Sequence, residues 1–175
     1  MIRRAPTTVW HLAMAAPEAL RPARDPGPDA SVVHAAVPLG ALNRFFYAEI
    51  GRDHHWVDRL VWDDAGWQRY AADPKLETWM VCERGTPAGY AELWKLPRGR
   101  WHLAMFGLLA PFRGRGLGGH LLSAVARRAW GGGASTVTLD TCELDGPHAL
   151  SNYQARGFEI VRESIEQRGR FDAAR

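Results

Sequence analysis

The stretch Leu108-Leu109-Ala110-Pro111-Phe112-Arg113-Gly114-Arg115-Gly116-Leu117-Gly118-Gly119 joins the end of an apolar run to a glycine-rich turn and the start of a helix. Leu117, Leu121, Leu122, Val125 and Ala129 fall on one helical stripe, so a helix is expected over 116–130, stopped by Gly131-Gly132-Gly133. A helix N-terminus offers unpaired N–H groups and the positive end of the macrodipole. Glycines at 114, 116, 118 and 119 let a ligand approach the backbone closely, and Arg113 and Arg115 add charge for phosphate oxygens. A pyrophosphate site follows from this chemistry. A phosphate loop of the Gly-Lys-Ser/Thr type is excluded, because that ending is missing. Gly114, Gly116 and Gly119 also fit a dinucleotide fingerprint, with Asp140 about twenty residues on, and a purely structural turn is a third reading.

Outward from the turn, the period upstream is two. Residues 77–83, 87–95 and 101–109 read as strands, with turns at 84–86 and 97–99, which describes an antiparallel meander. Downstream, a strand is expected over 135–141, a short helix over 147–156 and a last strand over 158–166. Toward the N-terminus the expected elements are a strand at 7–13, loop at 16–30, a strand at 31–36, and a helix from Pro38 to Ile50 stopped by Gly51. Two short helical patches follow, at 53–60 and 63–72, each opening on an aspartate. The order predicts a mixed α/β (α+β) domain, its central sheet mostly antiparallel and covered by helices on both faces. Antiparallel strands before the turn, and too little chain after it, weigh against a doubly wound dinucleotide domain.

Two segments together carry a resemblance. Arg113, Gly116 and Gly118 match the Arg/Gln-x-x-Gly-x-Gly/Ala signature of the GNAT superfamily of acetyl-CoA-dependent N-acetyltransferases. Ala149-Leu150-Ser151-Asn152-Tyr153-Gln154-Ala155-Arg156-Gly157-Phe158 resembles its later Ala-x-x-x-Tyr-x-x-x-Gly-Phe segment. The chain departs from the pattern at Gly146, where many members carry asparagine. The resemblance spans roughly 77–166 and implies a V-shaped splay between the central strands. It implies one domain over 1–175, with 77–166 as the acyl-CoA-binding core and 1–76 as an N-terminal strand and helix region on the acceptor side.

The resemblance also implies roles. Backbone N–H groups of Gly114, Arg115, Gly116, Leu117, Gly118 and Gly119, with Arg113, hold the acetyl-CoA pyrophosphate. The strand end at Leu108-Leu109 pairs with the pantetheine arm, and Gly107 is expected to mark a bulge that opens the slot. Tyr153 hydrogen-bonds or protonates the departing sulfur. The base is open between Glu92, His102 and, third, Glu143 and Asp140. Glu92 is expected to face the central cleft as a desolvated carboxylate, and His102 is easily tuned near neutrality. The reaction implied is acetyl transfer to a primary amine, first of a small molecule and second of a protein or peptide. A non-catalytic acyl-CoA sensor is the reading of a different class. Homodimers are common in the superfamily.

Composition narrows the classes. The chain has 175 residues, 46% hydrophobic and 23% charged, enough for one full core. No apolar run approaches the roughly 18 residues of a membrane span. Met1-Ile2-Arg3-Arg4-Ala5-Pro6 is basic but lacks a following apolar region, so a cytoplasmic location is expected. The net charge of +3 comes almost wholly from arginines spread along the chain, which does not favour nucleic acid. Cys82 and Cys142 show no metal-ligand spacing, and no metal is expected. Phe45-Phe46-Tyr47, His54-His55-Trp56, Trp62 and Trp67, mixed with Asp53, Asp58, Asp63 and Asp64, are candidates for gripping a cationic amine.

Overall fold

The computed structural model describes residues 2–171; Met1 and the last four residues of the expected domain lie outside them. Seven strands and four helices follow in the order β1 (Ile2–Met14), β2 (Ala30–His34), α1 (Gly40–His54), α2 (Asp64–Ala71), β3 (Leu76–Glu83), β4 (Thr86–Lys95), β5 (Arg100–Leu108), α3 (Leu117–Gly131), β6 (Thr136–Cys142), α4 (Ala149–Ala155) and β7 (Glu159–Phe171). They build one mixed α/β sheet of order β2-β3-β4-β5-β6-β1-β7. Every pairing is antiparallel except β5 with β6.

Strand alternation sorts the two faces. Ala91 and Leu93 of β4 meet the apolar stripe of α3 (Leu117, Leu121, Leu122, Val125, Ala129) and Tyr153 and Phe158 in the main core. Tyr90, one position out of phase, packs with Phe46 and Ile50 of α1 on the other face. Glu77 of β3 ties α3 down: it accepts from Arg128 Nε at 2.9 Å and Nη2 at 2.7 Å, and from Lys95 at 2.9 Å. Burial alone raises the Glu77 pKa, but these donors outweigh it and hold the group at about 2. A depressed carboxylate contributes stability above its ordinary value of 4.5, and loses it as pH falls through about 2. Glu77→Gln is therefore expected to flatten the loss of stability between those pH values. Urea melts across that window check it, and an unchanged slope removes Glu77 from acid stability.

The pairing of β5 opens the site. Only Arg100 to Leu103 pair with β6, at Thr136 to Leu139. Beyond Leu103 the strand pairs with β4 alone, leaving the edge from Ala104 to Leu108 uncovered. The register jumps there, with Glu92 opposite Met105 and Leu93 opposite Leu103, so Ala104 is the extra residue. That bulge bends β5 away from β6. The expectation that Gly107 makes the bulge is corrected. Gly107 serves a close approach instead, since a Cβ there falls 2.6 Å from Ile50 Cγ2.

Two other expectations change. Helix α1 runs through Gly51 to His54, and Gly51 makes room for Trp56, whose Cβ lies 2.5 Å from the place of a side chain. His55 ends the helix in the left-handed conformation, so 53–60 is no separate helix. Strand β1 lies between β6 and β7, among the C-terminal strands. Its Val9, Leu12 and Met14 are buried.

Candidate active site

A cleft of about 660 Å³ fills the splay between β5 and β6. The turn before α3 lines it, as do Tyr47, His54, His55, Trp56 and Asp58 from α1 and the segment after it. Gly114 and Gly116 have φ of +75° and +80°, a region that only glycine enters without strain. A Cβ at either meets no atom within 4 Å, so the turn faces open space. The first backbone bond into α3 comes from His120 N–H to Gly116, leaving the N–H groups of Leu117, Gly118 and Gly119 for a ligand. Leu117 contributes backbone only, its side chain being in the core.

The open edge of β5 carries the next set of donors. Leu109 N–H is bonded to the Ala88 carbonyl of β4. Alternation then turns the N–H and C=O of Leu108, and of Phe106, toward the splay. The Leu109 side chain packs on the Phe46–Tyr90 cluster, away from the cleft. Neither arginine of the turn is free: Arg113 pairs with Asp53 at 2.8 Å and donates to the Leu108 carbonyl at 3.1 Å. Arg115 pairs with Glu83 at 2.6 Å and does not line the cleft. Their charge locks the turn to α1 and β3.

Tyr153 and His102 both line the cleft. The Tyr153 ring is wedged edge-on between Phe106 and Phe158, at 5.8 and 6.3 Å. Burial, helped by Asp145 and Cys142, pushes its pKa up, so the phenol keeps its proton. His102 Nδ1 lies 3.0 Å from Thr138 Oγ1, and the Thr138 hydroxyl points to the Trp101 carbonyl at 3.4 Å. Burial lowers the His102 pKa against the pull of Asp140, with Arg100 and His11 adding to the lowering.

Glu92 does not face the cleft, which corrects that expectation. It is fully buried under α1 and accepts from Asn43 at 2.8 Å, from Arg59 at 2.8 Å and from the Tyr70 hydroxyl at 2.5 Å. Burial alone lowers the Arg59 pKa, but Glu92 more than restores it. Arg59 also stacks on Tyr47, Trp62 and Tyr70, with centroid distances of 5.5, 5.3 and 4.4 Å. Part of the aromatic set expected to grip an amine therefore holds the chain's own guanidinium. Phe46 and Trp67 are core, Asp63 caps α2 through Gly66 N–H at 2.7 Å, and Asp64 pairs with Arg44.

The remaining base candidates divide. Glu143 is held by Arg170 at 2.8 Å. Asp140 lines the cleft and is hydrogen-bonded by His11 Nδ1 at 2.6 Å, while His11 Nε2 meets Ser164 Oγ at 2.8 Å. Sequence reasoning missed His11 and Arg59, which have no motif around them, and passed over Asn152, which fills an unspecified position of the Ala149–Phe158 segment; Asn152 lines the cleft beside the turn. Among the described residues no helix is long and apolar enough to cross a membrane, and no His/Cys/Asp/Glu group is placed to hold a metal.

Solved structures of similar shape share little sequence. A GCN5-related N-acetyltransferase from Kribbella flavida superposes with a TM-score of 0.68 at 18% identity, covering 98% of this chain and 61% of that one. An acetyltransferase of the GNAT family from Novosphingobium aromaticivorans gives 0.67 at 16%, covering 98% and 68%. This chain thus spans about two thirds of the length of either. An aminoglycoside acetyltransferase from an uncultured soil metagenomic sample, solved with sisomicin, gives 0.63 at 10%, covering 73% and 87%. No curated protein matches. The model of the acetyltransferase (GNAT) family matches residues 41–158, two thirds of the chain, spanning the turn before α3 and the helix bearing Tyr153: the chain belongs to the GNAT acetyltransferase family.

Proposed function

We propose that the protein is an acetyl-CoA-dependent N-acetyltransferase that acylates a primary amine of a small molecule by direct attack in a ternary complex. One observation carries the reading. A single cleft runs from a helix N-terminus open to a diphosphate, along an uncovered strand edge, to a wall bearing a histidine and a tyrosine. Diphosphate, extended amide chain and thioester follow one another in acyl-CoA in that order. Residues within 77–166 hold the acyl-CoA, and Tyr47, Trp56 and Asp58 from the first 76 residues face the acceptor. Asp140, Asp58 and the Trp56 ring suit a cationic amine.

The Leu108 N–H polarises the thioester carbonyl. We assign the Nδ1–H tautomer to His102: Nδ1 then donates to Thr138 Oγ1 at 3.0 Å, and the Thr138 hydroxyl turns to the Trp101 carbonyl at 3.4 Å. Nε2 keeps its lone pair and takes a proton from the bound ammonium, which frees the nitrogen lone pair to attack the carbonyl carbon; the second nitrogen proton leaves with the departing thiolate. The carbon–sulfur bond breaks, and the thiolate departs against the Tyr153 hydroxyl. A phenol with a raised pKa stabilises that sulfur as a hydrogen-bond donor more readily than it gives the proton away. Tyr153→Phe is therefore expected to lower kcat on the order of tenfold to a hundredfold, the low end of acid–base effects. KM for acetyl-CoA stays as it is; a kcat equal to wild type removes Tyr153 from the reaction.

Thiol release from acetyl-CoA across small amines and peptides tests the function. Turnover with small amines supports the reading, and turnover with peptides alone moves the acceptor to protein. Thermal stabilisation by coenzyme A without turnover on any amine makes the protein a sensor, and stabilisation by NAD or NADP alone sinks the acyl-CoA reading.

A further inference from the structure

Residues 16–30 do more than join β1 to β2: they lie across the start of α3 and the end of α4. Arg21 N–H donates to the Arg156 carbonyl at 3.1 Å, and Ala23 N–H to Ser123 Oγ at 2.9 Å. Ser123 Oγ in turn donates to the Gly119 carbonyl at 2.7 Å. A Cβ on Gly119 falls 2.8 Å from Ala23 Cβ and 2.9 Å from Arg156 Nη1. The Arg156 guanidinium is thus seated against the first turn of α3, outside the lining of the cleft but beside Gly119 and Asn152, which line it.

Its surroundings leave that charge unspent. Arg113, Arg115, Arg128, Arg168 and Arg170 each rest on a carboxylate. Arg156 does not: among the described residues no carboxylate pairs with it, and its Nε is buried without an acceptor. Arg168 and Arg170 also bury an Nε, but both have an Nη on a glutamate. The crossing segment carries Glu18, in its 3-10 turn, Asp25, which accepts from Gly27 N–H at 2.9 Å, and Asp29, and none of the three pairs with Arg156. Asn152, four residues before Arg156 and so on the same face, reaches the same helix start, with Nδ2 3.9 Å from a Cβ placed on Gly118.

We infer that Arg156, seated with Asn152 over the first turn of α3, binds a phosphate of the acyl-CoA, the role that Arg113 and Arg115 are too committed to fill. The inference rests on the acyl-CoA reading of the cleft. The phosphate is either the diphosphate or the ribose 3′-phosphate, and both offer the acceptor oxygens an unpaired guanidinium needs.

Steady-state kinetics on the whole chain test it. Arg156→Gln raises KM for acetyl-CoA on the order of tenfold, the weight of a hydrogen bond to a charged group, and leaves kcat in place. Arg156→Lys keeps the charge and shows a smaller rise. S-acetylpantetheine, which lacks every phosphate, is used equally by wild type and both variants. Acetyl-dephospho-CoA identifies the phosphate: a penalty that persists places the contact on the diphosphate, and one that vanishes places it on the 3′-phosphate. An unchanged KM in Arg156→Gln, with wild type still turning over acetyl-CoA, overturns the inference and leaves the acyl-CoA reading standing. An equal penalty with S-acetylpantetheine makes Arg156 a packing residue and overturns it too. A wild type that neither turns over acetyl-CoA nor is stabilised by coenzyme A overturns both.

Discussion

His102→Gln is expected to lower kcat/KM about a thousandfold, the middle of the range for a positioned acid or base. The effect has a pH signature. In wild type the base works only when His102 is neutral, so activity falls as pH drops through its folded pKa. Burial puts that value below the ordinary 6.5; Arg100 on its own strand and His11 across the sheet push the same way, and Asp140 on β6 opposes them. The acidic limb therefore lies below pH 6.5, and it is missing from the variant. Glutamine keeps a side-chain amide able to meet Thr138, so the wall of the cleft stays packed. A variant that retains the wild-type limb at reduced height denies His102 the role of base and turns attention to Asp140, a carboxylate that lines the same cleft.

The parts of this site legible in the sequence are those governed by local chemistry. Glycines at 114 and 116 announce a turn with positive φ, and the stripe from Leu117 to Ala129 announces the helix behind it. Both are short-range, and both stand where the residues place them. Long-range pairing left no such trace. Alternation marks β1 as a strand but says nothing of its partners, so its place between β6 and β7 was invisible. The bulge at Ala104 uses a residue with no turn preference, while Gly107, the visible candidate, serves the approach of α1. Charge was misread for the same reason: Arg113 and Arg115 look free in a sequence that separates them widely from Asp53 and Glu83.

Glu92 is the sharpest case, and its substitution has the other large effect. Alternation puts Glu92 opposite Ala91 and Leu93, and does so correctly, but that face is covered by α1 and the segment leading to α2. Glu92→Ala leaves the Arg59 guanidinium, only 17% exposed, without its anion, and strips the Tyr70 and Asn43 side chains of an acceptor. Breaking one side of a buried ion pair costs about 3–5 kcal/mol. For a domain of this size that is a fall in Tm on the order of 10 °C. The gentler Glu92→Gln keeps the volume and one acceptor oxygen, so it unfolds less and allows kinetics on folded protein. Its acidic limb is expected to match wild type, because the limb belongs to His102. Calorimetry and a pH profile on the two variants separate the roles: a near-native Tm in Glu92→Ala, or a lost limb in Glu92→Gln, returns Glu92 from scaffold to chemistry.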